Sequence, residues 1–420
     1  MKQVLITSTL HSQNWSLNIQ DFLSGNQKKA FKENFICAQN CVAPLFDQFL
    51  LCGQKDSSVI HMFSLKKQLH TRWKAPDKIT ALATTPDSCF IIVAMSGKIH
   101  VYQTSSGKLC GVVQRHYQPI TCLRVSKCGS FFISGGDDAM VLVWMLFPII
   151  SVKESLSGAE SLALEPKHTW NNHTAKITDI HCGPNGIHDK CYTASLDSTC
   201  KIYDIYSGEL LASLTFDEPL WSVVTDAAQN FLFVGGEKGS IFETKLFDQS
   251  QILNDLSKPA PLALEGHVSK VTNLCVSFDG LALVSGSHEG KVIVWHIRSK
   301  QPMKTYEYKG AITNLLLLIT PHGLNDTDHL SSCIVKPFES FEDHHLDLME
   351  RGINHVSKAS LQIEDIPSIF SDEKSQYVDS ELVGKYQEAS KKLQELTQIN
   401  RQLYDYAVDK LFKESLPSME

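Results

Sequence analysis

The stretch "ITCLRVSKCGSFFISGGDDAMVLVW", residues 120–144, reads as strand, turn, strand, turn and strand. A second stretch, "VTNLCVSFDGLALVSGSHEGKVIVW", residues 271–295, matches it without a gap. The apolar positions, the glycine of the first turn and the final tryptophan coincide. Alternation of apolar and other residues with period two is typical of β-strands. The chain therefore contains a repeated β unit.

Further copies of this unit occur along the chain. "ITDIHCGPNGIHDKCYTASLDSTCKIYDIYSG", residues 177–208, is a third copy with a longer first turn. Weaker copies lie at residues 43–65, 79–107 and 220–247. The positions equivalent to the final tryptophan are Gln20, Phe63, Tyr102, Trp144, Tyr203, Thr244 and Trp295. A period of about 40–45 residues with strand alternation predicts four-stranded propeller blades.

The strong units resemble the WD-repeat family. A good repeat of that family holds a His before the first strand, a Ser or Thr in the second, an Asp in the next turn and a Trp in the third. The resemblance implies that these side chains form a hydrogen-bonded chain that holds the blade together. The matching residues are His116, Ser134, Asp138 and Trp144; His173, Thr193, Asp197 and Tyr203; and His267, Ser285, Glu289 and Trp295.

Two adjacent carboxylates in the opening stretch, Asp137 and Asp138, could form a catalytic pair, a metal site or a plain turn. The WD-repeat resemblance assigns Asp138 to the structural network. A buried carboxylate is tolerated when hydrogen bonds satisfy it, and His, hydroxyl and indole groups can do so. Asp137 is interpreted as a solvated turn residue.

Seven units predict an all-β, seven-bladed WD-repeat β-propeller over residues 1–321. The N-terminal unit lacks its first strand, and the segment "AITNLLLLIT", residues 311–320, has no partner of its own. Together they are expected to make one blade, which would leave no exposed strand edge where the ring closes.

The rest of the chain has a different character. Residues 322–376 show little periodicity and are expected to form an irregular linker, whereas residues 377–412 predict a C-terminal helix. This helix has the a and d spacing of a coiled coil, with an Asn at one a position that favours two strands. The predicted dimerisation residues are Leu382, Tyr386, Ala389, Leu393, Leu396, Asn400, Leu403 and Ala407. The alternative is a helix that packs on the flank of the propeller.

Composition and charge limit the function classes. The net charge of −7 argues against a general nucleic-acid binder, because affinity for phosphate backbones comes mainly from Lys and Arg. The twelve cysteines include no CxxC pair, which predicts free thiols in a reducing compartment. With no apolar N-terminal core and no long apolar run, the protein is expected to be intracellular and not a membrane protein.

No catalytic or metal-binding motif stands out. "GGEKGS" lacks the spacing of a phosphate loop, and neither HExxH nor GxSxG occurs. "HDKCYTASLDSTC", residues 188–200, holds His, Cys and Asp, but strand alternation would point neighbouring ligands to opposite faces. The sequence predicts a binding scaffold that is not an enzyme and needs no cofactor.

Two long loops and two basic sets are candidate contact regions. The loops fall in residues 145–170 and 247–266 and could hold recognition sites or lack structure. The basic sets could touch RNA or form a solvated face. They are "KKQLHTRWK" at residues 66–74, and Lys291, Arg298, Lys300, Lys304 and Lys309.

The propeller motifs and the terminal "LQELTQINRQLYDYA" together resemble the family of WD-repeat subunits of the rixosome. The resemblance spans nearly the whole chain. It implies a scaffold of the nucleus, nucleolus and nucleoplasm, partly cytoplasmic, that joins a helical-repeat subunit and others. That complex acts on pre-60S particles and on the second internal transcribed spacer of ribosomal RNA precursors. In this family the terminal helix pairs two copies.

Three function classes follow. The favoured one is an assembly scaffold in ribosome biogenesis. The second is an adaptor propeller of a ubiquitin ligase or chromatin complex, and the third is a direct RNA-binding propeller. Repeats alone do not separate them, because one fold supports many functions. The terminal helix and the whole-chain resemblance favour the first.

Overall fold

Seven four-stranded antiparallel sheets make up the protein. The computed structural model describes residues 3–10, 16–33, 35–66, 69–155, 165–186, 189–246 and 262–320. The innermost strand of each sheet contacts that of the next, and the seventh contacts the first, so that the sheets form a closed ring. The prediction of an all-β seven-bladed propeller is confirmed.

The blades are numbered here in chain order. Blade 1 contains β1 (Gln3–Thr9), β2 (Leu17–Asp21), β3 (Gln27–Phe31) and β28 (Ile312–Ile319). Blade 2 contains β4 (Cys37–Leu45), β5 (Phe49–Gln54), β6 (Val59–Ser64) and β7 (His70–Lys74). Blade 3 contains β8 (Ile79–Thr84), β9 (Phe90–Met95), β10 (Lys98–Gln103) and β11 (Leu109–Gln114). Blade 4 contains β12 (Ile120–Val125), β13 (Phe131–Gly136), β14 (Val141–Met145) and β15 (His168–Trp170).

The remaining blades follow the same order from the inner to the outer strand. Blade 5 contains β16 (Ile177–Cys182), β17 (Lys190–Ser195), β18 (Thr199–Asp204) and β19 (Leu210–Thr215). Blade 6 contains β20 (Leu220–Thr225), β21 (Phe231–Gly236), β22 (Ile241–Lys245) and β23 (Leu262–Leu264). Blade 7 contains β24 (Val271–Val276), β25 (Ala282–Ser287), β26 (Lys291–His296) and β27 (Pro302–Glu307).

Blade 1 joins the two ends of the propeller. Strand β28 is its inner strand and pairs antiparallel with β1, with Val4 opposite Leu318 and Ile6 opposite Leu316. The hydroxyls of Ser8 and Thr313 add a buried hydrogen bond of 2.7 Å across this seam. Because β1 is paired on both sides, neither end of the ring presents a free inner edge.

The core lies between neighbouring blades. Between blades 4 and 5, for example, Ile133 and Val143 pack against Ile180 and Cys191. Both faces of a middle strand are covered, which is why β13 is buried along its whole length. The outer strand β27 is mostly exposed.

The glycine pair of the opening stretch leaves room for two different neighbours. A Cβ on Gly135 would lie 2.8 Å from Cγ2 of Ile177 on blade 5, and one on Gly136 would lie 2.4 Å from Oδ1 of Asp138. Side-chain carbon atoms do not approach so closely without displacing something. The first glycine therefore permits blade packing, and the second permits the carboxylate to sit beside the strand.

The loop of residues 145–170 contains regular structure at both of its ends. Helix α1 (Leu146–Ser155) begins directly after β14, and the segment ends in the outer strand β15. Ile149 of α1 is buried against β11 of blade 3, where a Cβ on Gly111 would lie 2.6 Å from its Cγ2. Residues 156–164 lie outside the described residues, as do residues 247–261 of the second loop.

The predicted linker, residues 322–376, and the predicted helix, residues 377–412, also lie outside the described residues. Within the described part of the chain, no helix is both long and apolar enough to cross a membrane. The cysteines in that part, eleven in all, have free thiols, and six of them are buried: Cys37, Cys41, Cys52, Cys122, Cys191 and Cys200.

Candidate functional site

The network of blade 4 connects four elements. His116, just before β12, places Nδ1 3.0 Å from Oδ2 of Asp138 and Nε2 2.8 Å from Oγ of Ser134. Trp144 on β14 donates its indole N–H to the same Ser134 oxygen at 3.0 Å. The backbone N–H of Tyr117 donates to Asp138 at 3.0 Å. The structure thus brings together all four residues that the sequence pattern selected.

Blade 7 repeats this geometry with a longer acid. His267 bonds Ser285 through Nε2 at 2.7 Å and approaches Oε1 of Glu289 with Nδ1 at 3.2 Å. Trp295 donates to the Ser285 hydroxyl at 2.8 Å, and the backbone of Val268 donates to Glu289 at 3.3 Å. A glutamate can therefore take the aspartate position when its extra methylene is accommodated in the turn.

Blade 5 contains the histidine, hydroxyl and carboxylate of the network. His173 bonds Oδ2 of Asp197 at 2.9 Å and the Thr193 hydroxyl at 2.8 Å. The hydroxyl of Thr199 adds a further bond to Asp197 at 2.6 Å. The histidine and the acid are held as in the other two blades.

Tyr203 does not join the blade 5 network, contrary to the expectation from its position. Its hydroxyl donates instead to Oδ1 of Asn172 at 3.3 Å. Its ring stacks on Trp170 of blade 4, with ring centroids 4.1 Å apart and an interplanar angle of 7°. A phenol carries its polar atom at the tip of the ring, whereas an indole carries its N–H on the side, so the Tyr203 ring takes part in inter-blade packing instead.

The pKa shifts in the three networks favour neutral histidines beside ionised acids, as in networks that stabilise a fold. Burial lowers the pKa of His116, His173 and His267, although the adjacent carboxylates act in the opposite direction. For Asp197 and Glu289 burial acts to raise the pKa, but hydrogen bonds from neighbouring groups outweigh it and hold the pKa below the ordinary value. The result is a neutral imidazole between a hydroxyl and a carboxylate. Each ring nitrogen is already bonded, so the geometry satisfies buried polar groups.

Blade 6 uses a different acid in the corresponding turn. Val234, Lys238 and Thr244 stand where the stronger repeats have the hydroxyl, the carboxylate and the tryptophan. Buried Glu218 instead accepts the backbone N–H of Lys238 at 2.6 Å. A carboxylate from the connection that precedes β20 therefore caps the turn between β21 and β22.

Two sets of polar contacts among the described residues were not predicted from the sequence, because their residues do not recur from blade to blade. In blade 2, His61 bonds His70 at 2.8 Å, and His70 lies 3.2 Å from Glu33, while Phe35 stacks on His61 at 3.7 Å. Burial lowers the pKa of His61 to about 4. Only the alternation of "HMF" and "HTRW" on neighbouring strands hinted that these rings share a face.

The second unforeseen link joins blades 4, 5 and 6 near the axis of the ring. Arg124 donates to Oδ1 of Asp179 at 2.9 Å and to the Ile180 carbonyl at 3.0 Å. The other oxygen of Asp179 accepts the backbone N–H of Val223 at 3.2 Å. Burial raises the pKa of Asp179, and Arg124 acts against this shift. The pair is a fixed inter-blade contact.

A bulge occurs near the start of six inner strands, where one residue is out of register with the second strand. The bulged residues are Thr80, Thr121, Thr178, Trp221, Thr272 and Thr313. A bulge redirects a side chain out of the regular ladder. Here the six residues line one cavity of about 460 Å³ at the end of the ring where the inner strands begin. We call this end the upper face and the cavity the upper cavity.

The bulged threonines of blades 4, 5 and 7 also join neighbouring blades. Their hydroxyls donate to backbone carbonyl oxygens of the next blade. The bonds run from Thr121 to Ile177 at 2.6 Å, from Thr178 to Leu220 at 2.9 Å and from Thr272 to Ile312 at 2.8 Å. In blade 6 the bulged residue is Trp221, and the adjacent Ser222 makes the bond, to Val271 at 3.0 Å.

Three members of the basic sets lie beside carboxylates. Arg72 lies 3.4 Å from Glu33, and Lys300 lies 3.2 Å from Glu243. Lys291 lies 3.6 Å from Glu289. These contacts reduce the positive charge that either set could present to RNA. Within the described residues, no group of three or more His, Cys, Asp or Glu side chains is arranged to hold a metal ion.

Comparison with known proteins agrees with this geometry. The family model of the WD domain, G-beta repeat, matches residues 107–145, 164–204 and 261–296. These are the three segments that contain the His, hydroxyl and carboxylate networks of blades 4, 5 and 7. Each match begins at the outer strand of one blade and ends at the third strand of the next.

Similarity to whole proteins extends further than the repeats. WD repeat-containing protein 18 of Bos taurus is 30% identical over 96% of this chain and 97% of its own length. The chain belongs to the WD repeat-containing protein 18 family. The human protein of that name is 35% identical over 72% of this chain and 69% of its own length. Pre-rRNA-processing protein IPI3 of Yarrowia lipolytica is 28% identical over 72% of this chain and 74% of its own length.

This family assignment confirms the WD-repeat resemblance, including its extension beyond the propeller. Since the Bos taurus alignment covers nearly the full chain, it includes much of the predicted linker and helix. The predicted dimerisation seam, residues 382–407, lies outside the described residues, and its pairing stays a prediction.

Proposed function

We propose that this chain is a non-catalytic scaffold subunit of a nuclear complex that matures pre-60S ribosomal particles and processes the second internal transcribed spacer. Its partners would be a helical-repeat subunit and the other rixosome subunits. We place it in the nucleus, nucleolus and nucleoplasm, with a cytoplasmic fraction.

The observation that carries this proposal is similarity over nearly the full chain to WD repeat-containing protein 18, together with similarity to a pre-rRNA-processing protein. Proteins that share only the repeat fold would align over the blades alone. Because one fold supports many functions, the extension past the last blade is what separates this family from other propellers.

The geometry of the blades supports a non-catalytic role. The histidine and carboxylate pairs that could resemble catalytic groups are closed into networks that hold turns and strands, with both imidazole nitrogens bonded. A general base needs a free acceptor within reach of a substrate proton. These histidines are therefore suited to rigidity, and a rigid ring is a suitable platform for other subunits.

Affinity purification of the tagged chain from nuclear extract, followed by mass spectrometry, tests the scaffold role. We expect pre-60S proteins and a helical-repeat subunit among the partners. Depletion of the chain should also increase RNA precursors that retain the second internal transcribed spacer, measured by hybridisation. Recovery of cullin or histone complexes without pre-60S proteins would support the adaptor class and contradict the proposal. Binding to naked precursor RNA alone would support the RNA-binding class.

We also propose that two copies pair through the predicted seam. Leu393 and Leu396 occupy adjacent apolar positions of the heptad pattern, so Leu393→Asp with Leu396→Asp would place unpaired charge in an apolar contact. Sedimentation at micromolar concentration should show a dimer for the parent and a monomer for the double variant. Asn400→Leu should keep association but permit higher oligomers. A monomeric parent would contradict the pairing.

A further inference from the structure

The upper cavity has one residue that departs from the pattern of its neighbours. Five of the six bulged positions hold threonine, and the sixth, in blade 6, holds Trp221. The inter-blade hydrogen bond of that blade is made by Ser222 instead. The tryptophan is thus not needed for the contact that the threonines serve. It places a large aromatic surface at the mouth of the ring.

Lys270 lies directly on this ring. Its Nζ is 3.7 Å from the ring centroid of Trp221, close enough for a cation–π contact. Partial burial lowers the pKa of Lys270, and Glu237 acts in the opposite direction. Within the described part of the chain, no carboxylate lies within ion-pair distance of Lys270, in contrast to the lysines paired elsewhere on this face. The Trp221 ring therefore holds an ammonium group that has no carboxylate at ion-pair distance among the described residues.

Other lysines occupy the same repeat position or lie beside it. Lys78, Lys176 and Lys270 each precede the first residue of an inner strand, in blades 3, 5 and 7, and all three line the upper cavity together with Lys55. Two aspartates of the cavity offset two of these charges: Asp56 pairs with Lys78, and Asp137 with Lys176 at 2.6 Å. The lining therefore keeps a positive excess in a chain whose net charge is −7.

Exposed apolar side chains accompany these charges on the upper face. Tyr117 is 88% exposed and Val268 is 80% exposed. Each follows the network histidine of its blade, and its backbone N–H donates to the network carboxylate. The networks therefore fix the backbone that presents these two side chains, which reduces the entropy that a partner must remove on binding.

We propose that the upper cavity binds an acidic peptide segment of a partner protein, with a carboxylate of that segment paired to Lys270 on the Trp221 ring. Ordered lysines match carboxylates in charge, and the exposed Val268, two residues before Lys270 in the chain, matches an apolar side chain in the same segment. Complementary charge of this kind steers association and sets its register. The proposal depends on the fold and the side chains of the upper face, and it goes beyond the proposed ribosomal role.

Single-stranded RNA fits the upper cavity less well. Binding of bases without sequence preference relies on aromatic faces that are free to stack. The Lys270 ammonium already lies over the Trp221 ring, and Asp56 and Asp137 stand among the lysines, where they would repel phosphates. A peptide carboxylate needs only the ammonium group.

Fluorescence anisotropy with the purified full-length chain and a labelled oligoglutamate peptide tests the proposal. We expect binding that weakens as salt rises, since exposed charges are screened. Lys270→Glu should weaken it by about tenfold or more, because a hydrogen bond to a charged group is worth about 1.5–3 kcal/mol and 1.4 kcal/mol is tenfold. Trp221→Thr should weaken it several-fold without changing the charge, since threonine is the residue of the equivalent bulges.

The matched control is Lys108→Glu. Lys108 is exposed in the turn between β10 and β11, at the opposite end of the blades, and its substitution changes the net charge by the same amount. It should leave peptide binding unchanged. Thermal melting of all variants verifies that each one is folded.

Four results would overturn the proposal: no binding by the parent, equal loss in Lys270→Glu and Lys108→Glu, no loss in folded Trp221→Thr, or Lys270-dependent binding of oligouridylate that displaces the peptide. The last would indicate RNA as the ligand. None of these results bears on whether the chain co-purifies with pre-60S particles, so failure here is distinguishable from failure of the proposed function.

Discussion

At the residue scale, Asp138 and Asp137 illustrate how adjacent acids take different roles. Asp138 accepts bonds from the His116 ring and from the backbone of Tyr117 and Met140. Asp137, one position earlier, forms a partly exposed ion pair with Lys176 of blade 5. Exposed ion pairs contribute little to stability, whereas a buried carboxylate bonded to several donors contributes more.

Asp138→Ala should therefore lower the free energy of unfolding by about 1–3 kcal/mol, because the His116 ring and two backbone donors lose a shared acceptor. Asp137→Ala is the matched control and should cost less than about 1 kcal/mol. Thermal and urea unfolding of both variants measure the difference. Equal stability of the two variants would contradict the structural role of Asp138.

Buried histidines should make the protein less stable in acid. Burial lowers the pKa of His100 to about 4, and Lys98 acts in the same direction. In the unfolded chain a histidine titrates near about 6.5, so the unfolded state binds the proton first as the pH falls. Stability is therefore full above about pH 6.5 and is lost progressively toward the folded-state pKa, by about 1 kcal/mol per such histidine between about pH 7 and about pH 5.5.

His100→Leu tests this dependence directly. The variant should lose less stability than the parent over the same pH range, because one proton-binding group of the unfolded state is gone. Urea unfolding at several pH values measures the slope. A slope that is unchanged by the substitution would mean that His100 does not titrate differently in the two states.

At the element scale, the inner strands are joined by the hydroxyls of bulged residues. Thr178 is 4% exposed, and its hydroxyl lies 2.9 Å from the Leu220 carbonyl on blade 6 and 3.0 Å from the Ala194 carbonyl on its own blade. Thr80 occupies the same bulge in blade 3, but its hydroxyl reaches the Ala94 carbonyl of its own blade at 3.4 Å. The two threonines thus share a position and differ in what they join.

Thr178→Val should cost about 1–2 kcal/mol, since a valine of the same shape leaves the Leu220 carbonyl without its donor. Thr80→Val is the control and should cost clearly less. Urea unfolding gives both values, and the slope of the transition should stay constant if the native ring is intact. A larger loss for Thr80→Val would contradict the inter-blade role of the bulged hydroxyl.

At the scale of the whole molecule, closure of the ring depends on one strand contributed from far along the chain. Strand β28 buries Leu315 and Leu317 and covers the inner edge of β1. Without β28, that edge and the apolar side chains beneath it would be exposed. An uncovered edge of this kind is a template for aggregation.

A fragment of residues 1–320 should accordingly melt in one cooperative transition, whereas a fragment of residues 1–309 should aggregate. The two differ only by the segment that contains β28. Light scattering and calorimetry compare them. A soluble fragment of residues 1–309 that melts cooperatively would show that closure by β28 is dispensable.

Much of this architecture could be predicted from the local sequence. The period-two alternation, the turn glycines and the repeated His, hydroxyl and acid positions predicted seven blades and selected the partners of His116, His173 and His267. Such features depend on contacts between residues within one blade, whose spacing is the same in every copy. The family assignment followed from the same pattern together with the extension past the last blade.

The side-chain contacts that only the tertiary structure decided lie between blades. Tyr203 stacks on Trp170 and does not bond its expected partner, Arg124 is hydrogen-bonded to Asp179, and the Lys270 ammonium lies over the Trp221 ring. Each pair joins residues of different blades, and its geometry depends on the angle between sheets and on bulges that no period in the sequence records. The repeat determines the blade because its interactions are local, whereas the packed ring determines which side chains meet because those interactions are not.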